Sequence, residues 1–149
     1  MKLSCPAKIN LFLKITNRLP NGYHELESLF AFLDLRDDLE ISLSNKFHLE
    51  INGEFANLID LENNLFTKIL DFFIAKFSIS RNLHIKITKN IPVGAGLGGG
   101  SSNAAYFIKA LNQIFTLNLS KIELQKISLN FGSDIPFFFE EKASIIRGI

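Results

Sequence analysis

Five of the nine glycines in this sequence lie between Gly94 and Gly100, in the stretch IPVGAGLGGGSSNAA. Glycine loses more backbone freedom on folding than any other residue, so such a run needs a physical reason. A glycine loop allows successive backbone N–H groups to turn towards one cluster of oxygen atoms, and serine hydroxyls add further donors. The composition of this stretch therefore suits the binding of a phosphate chain.

The glycines are predicted to connect a strand to a helix. Apolar and polar residues alternate over residues 83–88, which indicates a half-buried strand. Apolar residues then recur at helical spacing over residues 104–115, and we expect that helix to begin near Ser101, Ser102 or Asn103. A helix N-terminus has unpaired N–H groups and a partial positive charge, and both favour a bound anion.

Other kinds of glycine-rich segment fit less well. A Walker A loop ends in Gly-Lys-Ser/Thr, whereas no lysine follows Gly100. The pattern Gly94-x-Gly96-x-x-Gly99 matches the dinucleotide fingerprint, but that fingerprint needs a second strand where this sequence has a capping box at Ser120. A flexible linker is disfavoured because periodic apolar residues flank both sides of the loop. A dinucleotide-binding oxidoreductase domain stays open as an alternative.

The composition of the whole chain excludes several classes of protein. Its 149 residues, 47% of them hydrophobic, suit one domain with a sizeable core, and a net charge of +1 gives no basic footprint for nucleic acid. A single cysteine, Cys5, excludes an intrachain disulfide and a cysteine-rich zinc site. The apolar runs are too short to span a bilayer, and the N-terminus has no uninterrupted apolar stretch of the signal-peptide kind. We therefore expect a cytoplasmic protein with a small-molecule substrate and no nucleic-acid or membrane partner.

Periodicity in the rest of the chain predicts an α+β fold. We expect strands over residues 8–15, 39–43 and 47–51, an extended segment over 23–35, and turns at 19–22 and at Asp37-Asp38. We also expect a helix over 65–77 capped by Asn63 or Asn64, a helix from Ser120 to near Phe131, and extended segments over 135–149. The first of these strands places Lys8 and Asn10 on the same face.

Four stretches of the sequence together resemble the GHMP kinases, the family of galactokinase and of homoserine, mevalonate and phosphomevalonate kinases. Residues 92–102 resemble its central motif, and PAKINL (6–11), NGYH (21–24) and GSDIP (132–136) agree with it in the same order. The family more often has Ala where Ser133 stands and Asp where Asn21 stands, and both departures are mild. The resemblance implies a two-layer, ribosomal-protein-like βαβ fold in which a mixed β-sheet carries helices on one face.

The resemblance also implies an activity. The branch of the family with the most similar motifs uses ATP and Mg²⁺ to phosphorylate the 2-hydroxyl of a cytidylylated methylerythritol, in the non-mevalonate pathway to isoprenoid precursors. Another GHMP kinase substrate and a non-catalytic nucleotide- or RNA-binding module remain as alternatives, because a fold does not fix a function. The coexistence of Lys8 and Asp134 argues against the non-catalytic module.

Lys8 and Asp134 are the candidates for the chemistry. Phosphoryl transfer needs positioning, neutralisation of charge and an acceptor for the hydroxyl proton. The resemblance implies that Asp134 is the general base and that Lys8 is a catalytic lysine, which would stabilise charge growing on the attacking oxygen. From the residues alone, Asp134 is also suited to cap a local turn, and a strand lysine such as Lys8 usually lies on a solvated face.

Binding roles follow from the same resemblance. The phosphates and the adenosine part of ATP would be held by Pro92, Val93, Gly94, Ala95, Gly96, Leu97, Gly98, Gly99, Gly100, Ser101, Ser102, Asn64 and Lys89. The cytosine ring of the substrate would be held by Tyr23 and His24, with Asn10 pointing into the same site. His48 and His84 match no motif, and we interpret them as strand surface.

A final expectation concerns domain organisation. Residues 1–149 resemble the N-terminal, ATP-binding domain, and members of the family continue into a second domain that closes the substrate cleft. We therefore expect residues 1–149 alone to have negligible kinase activity, because half a cleft leaves the substrate and the phosphates exposed to water.

Overall fold

The structure, a computed structural model, describes residues 1–18, 22, 24–60, 64–140 and 142–148. The strands are β1 (Lys2–Arg18), β2 (His24–Leu43), β3 (His48–Asn52), β4 (Leu83–Thr88) and β5 (Ser144–Gly148). The helices are α1 (Leu65–Phe77), α2 (Gly99–Ile114) and α3 (Lys121–Ser128), with short 3-10 helices at Ala56–Leu58 and Ile135–Phe139. Among these residues, no helix is long and apolar enough to cross a membrane.

The long strand β2 organises the sheet. It pairs with β1 along its length, with β5 over its first half and with β4 over its second half, in each case antiparallel. The strand β3 pairs with β4 in parallel and completes a five-stranded mixed sheet. The predicted α+β class with a mixed sheet is confirmed.

The helices cover one face of this sheet. The three alternate residues Leu83, Ile85 and Ile87 of β4 are fully buried, whereas the residues between them are half-exposed on the other face. Their partners in the core include Phe73 of α1 and Phe107 of α2. Each such side chain contributes about 1.5–3 kcal/mol when it leaves water, so the apolar alternation of β4 explains why the helices pack on this side.

Two predicted helix starts are confirmed by their hydrogen bonds. The side-chain oxygen of Asn64 accepts a hydrogen bond from the N–H of Thr67 at 3.0 Å and caps α1. The capping box of α3 is complete, with Ser120 and Glu123 bonded in both directions. The helix ends at Ser128, before the predicted Phe131, because the last residues form tighter turns of the i to i+3 kind.

Alternation along β1 predicts the strand but not its burial. The apolar side chains of Ile9, Leu11, Leu13 and Ile15 are 39–60% exposed. Phe12, between them, is 40% exposed. This half of β1 is therefore accessible on both of its faces.

The predicted turn at Asp37-Asp38 is wrong, because β2 runs through both residues without a break. Asp37 is fully buried and its carboxylate accepts hydrogen bonds from Lys89 Nζ, from Asn103 Nδ2 at 2.9 Å, and from the backbone N–H groups of Asn90 and Ile91 at 2.7 and 2.9 Å. Lys89 also donates to Asn103 Oδ1 at 2.7 Å. These partners are more than fifty residues away from Asp37 or come from another element, so local turn propensity is outweighed by a long-range network.

The extended segments predicted over residues 135–149 are only partly confirmed. Residues 135–139 form a 3-10 helix in place of an extended segment, whereas β5 confirms the strand that follows. Phe137, Phe138 and Phe139 are all buried. An extended strand would send consecutive side chains to opposite faces, whereas this helical turn, with Pro136 in its first positions, buries all three.

We predict that Asp37→Asn lowers the free energy of unfolding by about 3–5 kcal/mol, because Lys89 is left as a buried charge without its carboxylate. Urea unfolding measures this change. The matched control is Asp38→Asn on the next, exposed residue of the same strand, which is expected to stay within about 0.5 kcal/mol of the original protein. Equal effects of the two substitutions would contradict a central role for the buried pair.

Candidate active site

A cavity of about 580 Å³ opens beside the glycine loop. This volume lies within the range of roughly 300–1,000 Å³ that is usual for small-molecule sites. Its lining includes Lys8 from β1, Asp134 from the start of the 3-10 helix, Asn64 and Phe66 from the start of α1, and residues 91–101 of the loop and α2. Both predicted catalytic residues therefore reach the same cavity as the predicted phosphate loop.

The glycine loop leaves backbone open to this cavity. Gly94 and Gly96 have positive φ angles of 76° and 75°, a conformation that side chains rarely adopt. A Cβ atom added to Gly94, Gly96 or Gly100 would meet nothing within 4 Å. A ligand can therefore approach these three backbone positions closely.

The helix α2 begins at Gly99, before the predicted start at Ser101, Ser102 or Asn103. Gly98 precedes it in a left-handed conformation with φ of 69°, and the N–H of Ser102 donates to the Gly98 carbonyl at 2.8 Å. Glycine is a poor helix former, but Gly99 packs so closely that a Cβ would lie 3.0 Å from Ile91 Cγ2. The N–H groups that precede this first intrahelical bond in α2 consequently come from Gly99, Gly100 and Ser101.

Gly98 serves the protein's own packing. A Cβ at this position would lie 2.9 Å from both Lys8 Cγ and Phe138 Cζ. In addition, the backbone N–H of Lys8 donates to the carbonyl of Leu97 at 2.9 Å. The loop is therefore hydrogen-bonded to β1 at Lys8, one of the two candidate catalytic residues.

Lys8 does not lie on a solvated face, since it is 5% exposed. Its Nζ donates to Asn10 Oδ1 at 2.6 Å, lies 3.5 Å from Asp134 Oδ2 and stands 4.5 Å from the centre of the Phe30 ring. Asn10 in turn donates to Ser28 Oγ at 3.2 Å. The predicted placement of Lys8 and Asn10 on one strand face is confirmed by the contact between them.

Asp134 occupies the N-cap position of the 3-10 helix Ile135–Phe139, but its side chain makes no capping hydrogen bond there. The side chain is 41% exposed and faces the cavity, where its described ion-pair partner is Lys8. The alternative role as a local cap is therefore not supported by its hydrogen bonds, and the carboxylate is accessible from the cavity.

The other polar residues predicted to bind ATP differ in how accessible they are from the cavity. Asn64 and Lys89 line the cavity, but Asn64 also caps α1 and Lys89 is buried in the network of Asp37. Ser101 lines the cavity, whereas Ser102 is fully buried and its hydroxyl has no hydrogen-bond partner among the described residues.

The predicted cytosine contacts are only partly covered by the structure. His24 begins β2, whereas Tyr23 lies outside the described residues, as do residues 19–21 of the predicted turn and Asn63. Asn10 adjoins the cavity through Lys8. The binding roles assigned to these residues stay predictions.

Asp37 is the residue that the sequence analysis missed. Asp37, Leu39 and Ile41 are alternate residues of β2 and therefore lie on the same, buried face of the strand. This alternation was the signal in the sequence for a buried aspartate.

Cys5 is also buried. Burial raises the pKa of its thiol to about 12, although the hydrogen bond with Asn103 acts in the opposite direction. The Cys5 thiol is therefore neutral near pH 7 and is no candidate nucleophile.

Comparison with known proteins identifies the family. The sequence profile of the GHMP kinases N terminal domain matches residues 64–142, which is more than half of the chain. The chain belongs to the GHMP kinases. The order of elements argues against the dinucleotide-binding alternative, because α2 is followed by α3 where that fold needs a strand.

Two similar relatives carry the same name. The chain is 41% identical over 150 residues to the 4-diphosphocytidyl-2-C-methyl-D-erythritol kinase of Haemophilus influenzae (strain 86-028NP), covering 100% of this chain and 48% of that protein. It is 45% identical over 146 residues to the kinase of the same name from Psychromonas ingrahamii (strain DSM 17664 / CCUG 51855 / 37), covering 97% and 50%. The chain thus spans about half the length of the curated relatives it matches.

A solved structure agrees with these relatives. The crystal structure of a 4-(cytidine 5'-diphospho)-2C-methyl-D-erythritol kinase superposes with a TM-score of 0.82 at 32% identity, over 99% of this chain and 52% of that one. The similarity in fold therefore extends over nearly the whole of this chain.

We predict that two substitutions in the glycine loop have different effects on the stability of the folded protein. Gly98→Ala is expected to lower stability by about 1–3 kcal/mol, because its Cβ meets Lys8 and Phe138 at a positive φ. Gly100→Ala is expected to keep or slightly raise stability, because alanine favours a helix, and to weaken nucleotide binding by filling space beside the loop. Thermal unfolding with and without ATP measures both effects. Unchanged ATP affinity in Gly100→Ala would place the phosphates elsewhere.

Proposed function

We propose that the protein is a kinase that transfers the γ-phosphoryl group of ATP to the 2-hydroxyl of 4-diphosphocytidyl-2-C-methyl-D-erythritol, in the non-mevalonate pathway to isoprenoid precursors. The observation that carries this proposal is the Lys8–Asp134 ion pair, 3.5 Å long, in the same cavity as the glycine loop. The names of the two similar relatives support the choice of substrate.

Asp134 is proposed to accept the proton of the substrate hydroxyl. A general base must be reachable by the acceptor, and the Asp134 side chain is 41% exposed towards the cavity. Lys8 is held rigidly by burial and by Asn10, so its charge is already in position where negative charge grows on the attacking oxygen.

The glycine loop is proposed to hold the phosphates of ATP. The backbone around Gly94, Gly96 and Gly100 is open, and the N–H groups at the start of α2 favour an anion. Mg²⁺ prefers oxygen ligands and neutralises phosphate charge when bound. The Ser101 hydroxyl on the same cavity is an oxygen ligand that would hold this metal together with the phosphates, so the lining fits it.

The nucleotide assignment has a direct test. ATP is expected to raise the melting temperature of residues 1–149 in a concentration-dependent way, whereas NAD is not, because a ligand stabilises the folded state that binds it. Protection by NAD alone would favour the oxidoreductase alternative instead.

We predict that Asp134→Asn in the whole protein lowers kcat by about 10²–10⁴-fold, because a general base is lost, while ATP affinity changes little. Release of ADP in the presence of the cytidylylated substrate measures kcat, and thermal protection measures ATP binding. The matched control is Asp71→Asn, an exposed carboxylate on α1 that is paired with Arg81. Retention of more than about a tenth of the activity would show that Asp134 is not the base.

We predict that His24→Ala raises the KM for the cytidylylated substrate much more than the KM for ATP. A stacking or hydrogen-bonding contact with a base is typically worth roughly 1–3 kcal/mol, which corresponds to about five- to 150-fold in KM. Steady-state kinetics with each substrate varied in turn measures the two constants. Equal increases in both would mean that His24 supports the fold and does not contact cytosine.

A further inference from the structure

Three metal-ligating side chains converge on the face of the sheet that the helices leave uncovered. His48 and Glu50 extend from β3, and His84 extends from β4. His48 Nε2 lies 3.1 Å from Glu50 Oε1, and His84 Nε2 lies 2.9 Å from the same oxygen. The two imidazole rings are 5.1 Å apart. Two of the three histidines in the chain thus meet at one carboxylate.

The backbone fixes this arrangement. The parallel register of β3 and β4 sets His48 directly opposite His84. Glu50 follows His48 by two residues and therefore emerges on the same face of the strand. The neighbours on β4, Leu83 and Ile85, are fully buried on the other face, so the backbone holds the His84 side chain on the face of His48 and Glu50.

The distances between the ligand atoms suit a single cation. Zinc binds imidazole nitrogen and carboxylate oxygen at about 2.0–2.2 Å, so ligands of a tetrahedral zinc ion lie about 3.4 Å from one another. Here the three ligand atoms all lie within 4.8 Å of one another. Partial exposure leaves a fourth position open to water.

We propose that His48, Glu50 and His84 form a binding site for one divalent transition-metal ion of the zinc type. Imidazole ligands favour Zn²⁺, Co²⁺ or Ni²⁺ over Mg²⁺, which prefers oxygen. None of the three residues lines the nucleotide cavity, so this site is distinct from the one proposed for Mg-ATP. A bound ion would join the edge strand β3 to β4.

Isothermal titration of the untagged protein with Zn²⁺ tests the proposal. We expect one ion per chain, and an affinity that His84→Asn or His48→Asn lowers by at least tenfold, because each removes a ligand. The matched control is His24→Asn, which removes the third histidine, at the start of β2, and is expected to leave zinc affinity unchanged. Equal loss in the control, or no saturable binding by the original protein, would overturn the proposal.

A second measurement needs no variant. Co²⁺ bound by two imidazoles and a carboxylate in a four- or five-coordinate site gives intense visible absorption bands, whereas aqueous Co²⁺ is only weakly coloured. We expect these bands to appear with one equivalent of Co²⁺, to be removed by Zn²⁺ and to persist in excess Mg²⁺. Loss of the bands in Mg²⁺, or their absence from the start, would contradict the site. Neither result depends on whether the protein phosphorylates the proposed substrate.

Discussion

The buried carboxylate of Asp37 connects the elements on which the candidate active site depends. It lies on β2, binds Lys89 just after β4, accepts the N–H groups of the two residues that lead into the glycine loop, and reaches Asn103 on α2. A buried charge that loses its partner is costly, so none of these elements can slide past the others without breaking the pair. The position of the glycine loop is thereby set by a contact beneath it, before any ligand binds.

The glycines of the loop fall into two groups, one that borders the cavity and one that packs against the protein's own side chains. Gly94, Gly96 and Gly100 leave open space on the cavity side, where a Cβ would meet nothing. Gly98 and Gly99 instead make room for the protein's own side chains, Lys8 and Phe138 in one case and Ile91 in the other. The sequence pattern indicates only a phosphate loop, but in the structure the same segment also packs against Lys8 and holds it in place.

Sequence predicted the features that depend on neighbours along the chain. The capping box at Ser120, the alternation of residues 83–88 and the shared face of Lys8 and Asn10 are all local, and all are confirmed. The errors have long-range causes. The turn expected at Asp37 is outweighed by partners more than fifty residues away, and the extended segment expected after Asp134 is replaced by a helical turn that buries three phenylalanines at once. No local pattern contains either constraint.

Aromatic packing explains how the Lys8–Asp134 pair is held although the Asp134 side chain makes no capping hydrogen bond. The 3-10 helix that follows Asp134 is anchored by Phe137, whose ring packs edge-on to Phe30 at 5.1 Å and stacks on Phe32 at 4.5 Å. Lys8 Nζ lies over the same Phe30 ring, so both members of the ion pair are positioned by one cluster. The pair is buried on the Lys8 side and partly exposed on the Asp134 side. This asymmetry sets a fixed, buried ammonium beside a carboxylate that a small molecule can approach from the cavity.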